Sequence, residues 1–254
     1  MGGFRHMHSR YGRRLPLSHQ NGLLLARLSW SVPTLTVVLS TVLHVLGNPR
    51  DVPFFISETD QYGLQDHVFS WGLTIGGVCQ MLYAWHLYHT LEAQRPRLWL
   101  IASIIGIFSS LNAILVAHFD MYDFMDPHIL TAMFAFGGGV LWAMLALPSL
   151  GTFADSIGHR FRTIGFFMAF LGFIIMIGAF QPVANSFDST GMTLEEFLNR
   201  AQSGIDIAAP AEYILVAGLM VCLASFHYDL VKQRLIREDE NNEADRSIAF
   251  IGKA

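Results

Sequence analysis

The residues best suited to chemistry lie in two polar stretches set between apolar ones. The first is Pro53-Phe-Phe-Ile-Ser57-Glu58-Thr-Asp60. The second is His118-Phe-Asp120-Met-Tyr-Asp123-Phe-Met-Asp126-Pro-His128, a tight turn with two imidazoles and three carboxylates. Imidazole and carboxylate are the donors that zinc or a similar divalent ion takes, and zinc lowers the pKa of a bound water. His118, Asp120 and His128 are therefore candidate ligands for a divalent metal, with zinc as the cofactor they would suit. Ser57 or a metal-bound water would then attack an ester close to a lipid headgroup. The same residues have a structural reading, in which interfacial His and Asp anchor helices and hydrogen-bond loop backbone. No strict ligand pattern such as HExxH occurs. A second polar level comprises His86 and His89, spaced for one helical face, with His227 and Asp229. Tyr83, Trp85, Tyr88 and Tyr228 surround them, and aromatic residues at such a level act as interfacial anchors.

The elements that must position these residues are membrane helices. Of the 254 residues, 52% are hydrophobic and only 14% charged, whereas soluble domains are about a quarter charged. Apolar runs cover 23–46, 67–90, 98–117, 128–150, 163–181 and 209–230, each about the 20 residues that cross a ~30 Å hydrocarbon layer. Unbroken runs of this length are helices, because each must satisfy its own backbone in lipid. The expected fold is all-α, a polytopic six-transmembrane-helix bundle. Of the 16 Lys and Arg, all but Arg50 and Arg200 fall on one side of this alternation. The positive-inside rule then places both termini in the cytoplasm. The expected layout is a basic cytoplasmic segment 1–22, a transmembrane domain 23–230 and a charged cytoplasmic tail 231–254.

The opposite face gathers the polar groups named first. At that outer level lie His44, Glu58, Asp66, His67, His118, Asp120, Asp126, His128 and Glu212. An ionisable side chain at membrane depth is a functional hypothesis by default. Glu212 follows Pro210 at the outer end of the sixth run. Thr193 and Glu196 stand at capping-box spacing and predict a short helix from Leu194, lying on the outer surface. Gly72 and Gly76, the series Ser103, Gly106, Ser110 and Ala113, and Gly137 to Gly139 predict close helix packing. Cys79 and Cys222 fall mid-span and read as packing residues rather than a disulfide framework. The tail reads as disordered beyond about Glu240.

Six spans with this topology resemble the family joining the damage-regulated autophagy modulators to the GPI-anchor lipid-remodelling factors. In that family the first outer loop carries Pro, then Ile-Ser, then an acid, similar here to Pro53, Ile56, Ser57 and Glu58. A polar lead into the second span, Gln65-Asp66-His67-Val68-Phe69, departs from the Pro-Glu common in the family. The fourth span opens His128-Ile-Leu-Thr-Ala-Met-Phe-Ala-Phe-Gly137, and the sixth begins Ala211-Glu212-Tyr213, both similar to family patterns. The resemblance covers most of 23–230. It implies residence in the plasma membrane or an endomembrane and a link to lipid remodelling, lipid asymmetry or autophagy. By matching position it carries over Pro53, Ser57, Glu58, His128 and Glu212.

The expected function is therefore handling or sensing of lipid headgroups at the non-cytoplasmic leaflet, with Pro53, Ser57, Glu58, His67, His128 and Glu212 as the candidate headgroup site. The loop is expected to act as a lid. Pro53, Phe54 and Phe55 would dip into the outer interface, while Ser57 and Glu58 would bond toward His128 and Glu212. Two alternatives stay open: a metal-dependent lipid hydrolase using the outer His/Asp cluster, and an accessory subunit of a larger membrane complex. The expected partners are membrane lipids and proteins in the membrane, and no nucleic acid. A transporter would want polar or broken helices near the midplane, where only Asn112 and glycines occur.

Overall fold

In the computed structural model, residues 17–47 and 49–251 are described, with side chains as far as Ile236 and at Asp239. Most of the expected cytoplasmic segment 1–22, with Arg5, Arg10, Arg13 and Arg14, lies outside the described residues. Each apolar run becomes one long helix. These are α1 (His19–Leu46), α2 (Leu64–Thr90), α3 (Pro96–Val116), α4 (Met125–Leu150) and α5 (Ser156–Ala184), followed by a short α6 (Leu194–Arg200) and a long α7 (Gln202–Ile251). A 3-10 turn, Ile56–Thr59, sits between α1 and α2.

Local chemistry sets the helix ends. Ser18 caps α1 by accepting the Asn21 N–H at 3.3 Å. Pro96 opens α3 at a position where a missing N–H leaves nothing unsatisfied. Asp155 caps α5, accepting from the Ile157 and Gly158 N–H groups at 2.9 and 3.1 Å. The capping box before α6 forms as its spacing predicts. Thr193 N–H reaches Glu196 at 2.8 Å, and Glu196 N–H returns to the Thr193 hydroxyl at 3.3 Å. Gly151, at φ 55°, lets the chain leave α4 through the left-handed region.

Five helices are long and apolar enough to cross a membrane: α1, α3, α4 with its following turn, α5, and α7 as far as Ile236. The chain is an integral, multi-pass membrane protein. α2 is as long as the others, but Gln80, His86 and His89 dilute its apolar run, and it falls outside that set. α7 continues as helix through the charged tail to Ile251. That corrects the disorder expected beyond Glu240, where Ala, Glu and Arg are good helix formers continuing an established helix.

Small residues decide the packing. The buried stripe of α5 is Gly158, Arg162, Gly165, Ala169 and Gly172, and it lies flat against α7. A Cβ on Gly165 would stand 2.6 Å from the Gly218 carbonyl, and one on Gly172 2.7 Å from that of Ala211. The two backbones touch, as small-residue stripes allow in lipid. The GxxxG pair of α2 does the same against α1, with Gly72 facing Thr36 and Gly76 facing Pro33. Gly106 of α3 lies under Trp142 of α4. Neighbours thus run α1–α2–α3–α4, the α5–α7 pair closes back onto α1, and α4 meets α5 only loosely. Cys79 and Cys222 are free.

Candidate functional site

The first loop is bound down over the end of the bundle at which α1 ends and α2 begins. Arg50 forms a two-pronged ion pair with Glu58, Nε to Oε2 at 2.9 Å and Nη2 to Oε1 at 3.1 Å. The same guanidinium reaches Gln202 and Asn199, tying the loop to α6 and the start of α7. Gln202 returns a bond to the Pro53 carbonyl at 3.1 Å. Glu58 also accepts the Phe55 N–H at 2.9 Å, and its own carbonyl accepts from the Tyr122 hydroxyl at 3.1 Å. Burial pushes the Tyr122 phenol up to about 12, so it keeps the proton it donates. Thr59 bonds the Ile56 carbonyl and Ser40 of α1.

Two expectations about this loop are corrected. Phe54 and Phe55 do not dip into the interface; they are 4% and 9% exposed. Phe54 stacks edge-on with His44 at 4.7 Å, and Phe55 with Phe180 at 5.2 Å. Burial within protein gives each ring an aromatic partner that lipid would not supply. Glu58 does not reach toward His128 or Glu212 either, because Arg50 holds it. The bond to Glu212 comes from the backbone, Ile56 N–H to Oε2 at 2.7 Å.

Under the loop lies a cavity of about 550 Å³, running between α2, α3, α4, α5 and α7. The end under the loop carries Ser57, His128 and Glu212; its body is largely apolar, with Leu73, Phe136 and Met176 among the lining residues. Gly106, Ser110 and Ala113 also line it. The small-residue stripe of α3 thus makes room as well as contact. His128 is buried, with Nδ1 2.6 Å from the Phe119 carbonyl.

The remaining candidates lie apart. His67 is exposed beside Asp66 at 3.9 Å. His118 is exposed and bonds Thr74 of α2 at 2.9 Å. Asp120 turns its carboxylate onto the Tyr122 and Asp123 N–H groups at 2.9 and 2.8 Å. The structure therefore brings Ser57, Glu58, His128 and Glu212 to one end of the bundle and leaves His67 and His118 outside. Among the described residues, no three His, Cys, Asp or Glu side chains are grouped to hold a metal ion. His118, Asp120 and His128, the zinc candidates, each serve a local hydrogen bond instead.

Asp60, at the end of the loop, is 3% exposed, and neither carboxylate oxygen has a donor among the described residues. Burial, with Asp66 and Asp120 close by, pushes its carboxyl up to about 8, and the protonated form can donate to Asp66. The unfolded carboxyl titrates near 4. Between those values the folded chain holds a proton that the unfolded chain lacks. The resulting stability is complete below about pH 4 and is lost as pH rises through about 8. Melting temperature in mild detergent is expected to fall between pH 6 and 8, by up to about 1.4 kcal/mol of stability per pH unit. In Asp60→Asn that slope should flatten; an unchanged slope would remove Asp60 as its source.

One partnership escaped the sequence reading, which set Asp229 in the second polar level without Arg162. Arg162, one of the 14 basic residues that the charge count places on the expected cytoplasmic side, lies inside the bundle with 0% of its side chain exposed, as does Asp229, to which it is ion-paired. Its Nε donates to Ser225 at 3.2 Å, and its guanidinium lies over the Phe226 ring at 3.7 Å. Asp229 also accepts the Asp155 N–H at 2.7 Å. A signal was present: Arg162 is in helical register with Gly158, Gly165, Ala169 and Gly172.

Comparison with known proteins bears on the whole bundle. The model of the family described as Frag1/DRAM/Sfk1/Cwh43P N-terminal domain matches residues 21–233. No curated protein and no solved structure matches significantly.

Proposed function

We propose that this chain, which belongs to the Frag1/DRAM/Sfk1/Cwh43P family, takes a membrane lipid into its central cavity and handles or senses the headgroup at the non-cytoplasmic leaflet. The observation that carries this is the cavity of about 550 Å³, apolar along its body and polar at its outer end. Ligand cavities commonly have this size and a few placed polar groups on an apolar lining. Ile129 and Met133 of α4 line it while remaining exposed on the outside of the bundle. The loose α4–α5 seam is the side door by which a chain in the bilayer would enter. The resemblance to lipid-remodelling factors supports the same reading.

The reading uses six spans with both termini cytoplasmic. α2 is then the sixth; its 27 residues extend about 40 Å at ~1.5 Å per residue. Segment 1–22 and the tail 231–254 lie on the cytoplasmic side, and 23–230 forms the transmembrane domain. Glu58 keeps the loop closed over the cavity through Arg50, while Ser57, His128 and Glu212 meet the headgroup.

The test is to fill the cavity. Ala113 lines it from α3, and Ala113→Phe places a ring there without crowding a packed core. Lipid co-purifying in mild detergent, read by native mass spectrometry, is expected to drop severalfold with little change in melting temperature. Undiminished lipid in a folded Ala113→Phe chain would sink the reading.

A further inference from the structure

We propose that the polar end of the cavity selects a headgroup that donates hydrogen bonds, a hydroxyl or an ammonium, and disfavours phosphate. This deepens the lipid-handling reading above and rests on it. Nδ1 of His128 lies 2.6 Å from the Phe119 carbonyl. A carbonyl only accepts, so Nδ1 carries the proton, and the neutral ring presents Nε2 as an acceptor. Glu212 commits Oε2 to the Ile56 N–H at 2.7 Å, and its Oε1 meets no protein donor among the described residues. When ionised, that oxygen too only accepts. His128 of α4 thus offers a standing acceptor among the lining residues, and Glu212 of α7 adds a second when ionised. Ser57, Gln181 and Asn185 also line the cavity, but hydroxyls and amides both donate and accept, so they set no preference.

Charge points the same way. None of the lining residues is Lys or Arg. Arg50, the cation of the neighbouring loop, is taken by Glu58, Gln202 and Asn199. Phosphate sites in proteins are built from guanidinium, ammonium or arrays of backbone N–H groups. A phosphate here would be desolvated beside Glu212 with no countercharge, which is costly in an apolar surround. Protonation of Glu212 would add one donor and no positive charge. An ammonium gains most from the ionised carboxylate; a hydroxyl binds either form.

The test uses the purified full chain and three probes with 18-carbon monounsaturated chains: two-chain dioleoylglycerol for hydroxyl, single-chain oleylamine for ammonium and two-chain dioleoylphosphatidic acid for phosphate. Binding is read by thermal shift and by native mass spectrometry, and only signal lost in Ala113→Phe counts as cavity binding. Dioleoylglycerol or oleylamine is expected to bind at least tenfold more tightly than the phosphatidic acid. His128→Ala should narrow that ratio, while Ser57→Ala removes a group that sets no preference and should leave it unchanged. In Glu212→Gln, loss of oleylamine binding with dioleoylglycerol kept assigns the site to ammonium; loss of neither assigns it to hydroxyl. Should Glu212→Gln fail to fold, the wild-type ratio and His128→Ala decide alone. Cavity binding of phosphatidic acid equal to or tighter than the others overturns the headgroup assignment and leaves lipid handling standing. If no probe gives signal sensitive to Ala113→Phe, the lipid reading falls and the assignment falls with it.

Discussion

Arg162→Ala is expected to destabilise the chain by on the order of 3–5 kcal/mol, the usual consequence of removing one partner from a buried ion pair. The substitution leaves Asp229 fully buried with only the Asp155 N–H opposite it. It also strips the cation from the Phe226 face and the donor from Ser225. Asp229→Ala should cost about as much for the mirror reason. Lys at 162 should not restore stability, because a point ammonium cannot bond Asp229 and Ser225 while lying flat on a ring. The informative variant is the pair Arg162→Met with Asp229→Leu. If the damage comes from an orphaned charge, the double substitution should be milder than either alanine single. Melting curves in mild detergent, followed by size-exclusion chromatography, measure all four. Equal losses in the double and the singles would mean that the packing of α5 on α7, and not charge, carries the effect.

The second large effect is expected at the loop clasp. Glu58→Ala removes the carboxylate that holds Arg50 and the Phe55 N–H, leaving a largely buried guanidinium without its counter-ion. The expected loss is about 3 kcal/mol, localised to the loop. Hydrogen exchange over residues 49–63 should then rise by at least tenfold, while exchange in α5 and the apolar part of α7 stays near wild type. Glu58→Gln keeps two acceptor bonds but not the charge, and should fall between. Lipid co-purification is expected to change in step with loop opening, since Ile56 and Ser57 sit at the polar end of the cavity. Unaltered exchange in Glu58→Ala would show that the aromatic contacts of Phe54 and Phe55 alone hold the loop.

These two ion pairs show where sequence reading stops. Arg50 and Arg162 look alike in sequence, each a loop-side Arg near an apolar run; Arg162 adds to the charge bias that sets the topology and Arg50 is one of its two exceptions. Only packing separates them from the other basic residues. Arg162 falls on the α5 face where small residues let α7 approach, and that proximity excludes water and forces a partner. Arg50 meets Gln202 and Asn199, roughly 150 positions away in the chain. His118 and His128 bracket one short turn and suggest a joint role, yet the turn sends one ring to Thr74 and the other to the Phe119 carbonyl. Spacing in a loop does not constrain direction, whereas spacing in a helix does.

By itself the sequence determined the all-helical class, the positions of the long helices, the α6 capping box, the small-residue faces and the family. Apolar run length, cap chemistry and helical periodicity are local properties, and they act before any tertiary contact exists. Tertiary structure alone decided that the Phe-Phe loop is buried, that Glu58 answers to Arg50 and that Ile56 reaches Glu212. It also decided that a cavity opens between α2, α3, α4, α5 and α7. Each of those outcomes depends on which helices touch, and side-chain volumes at interfaces between distant segments, rather than any short stretch of residues, set that arrangement.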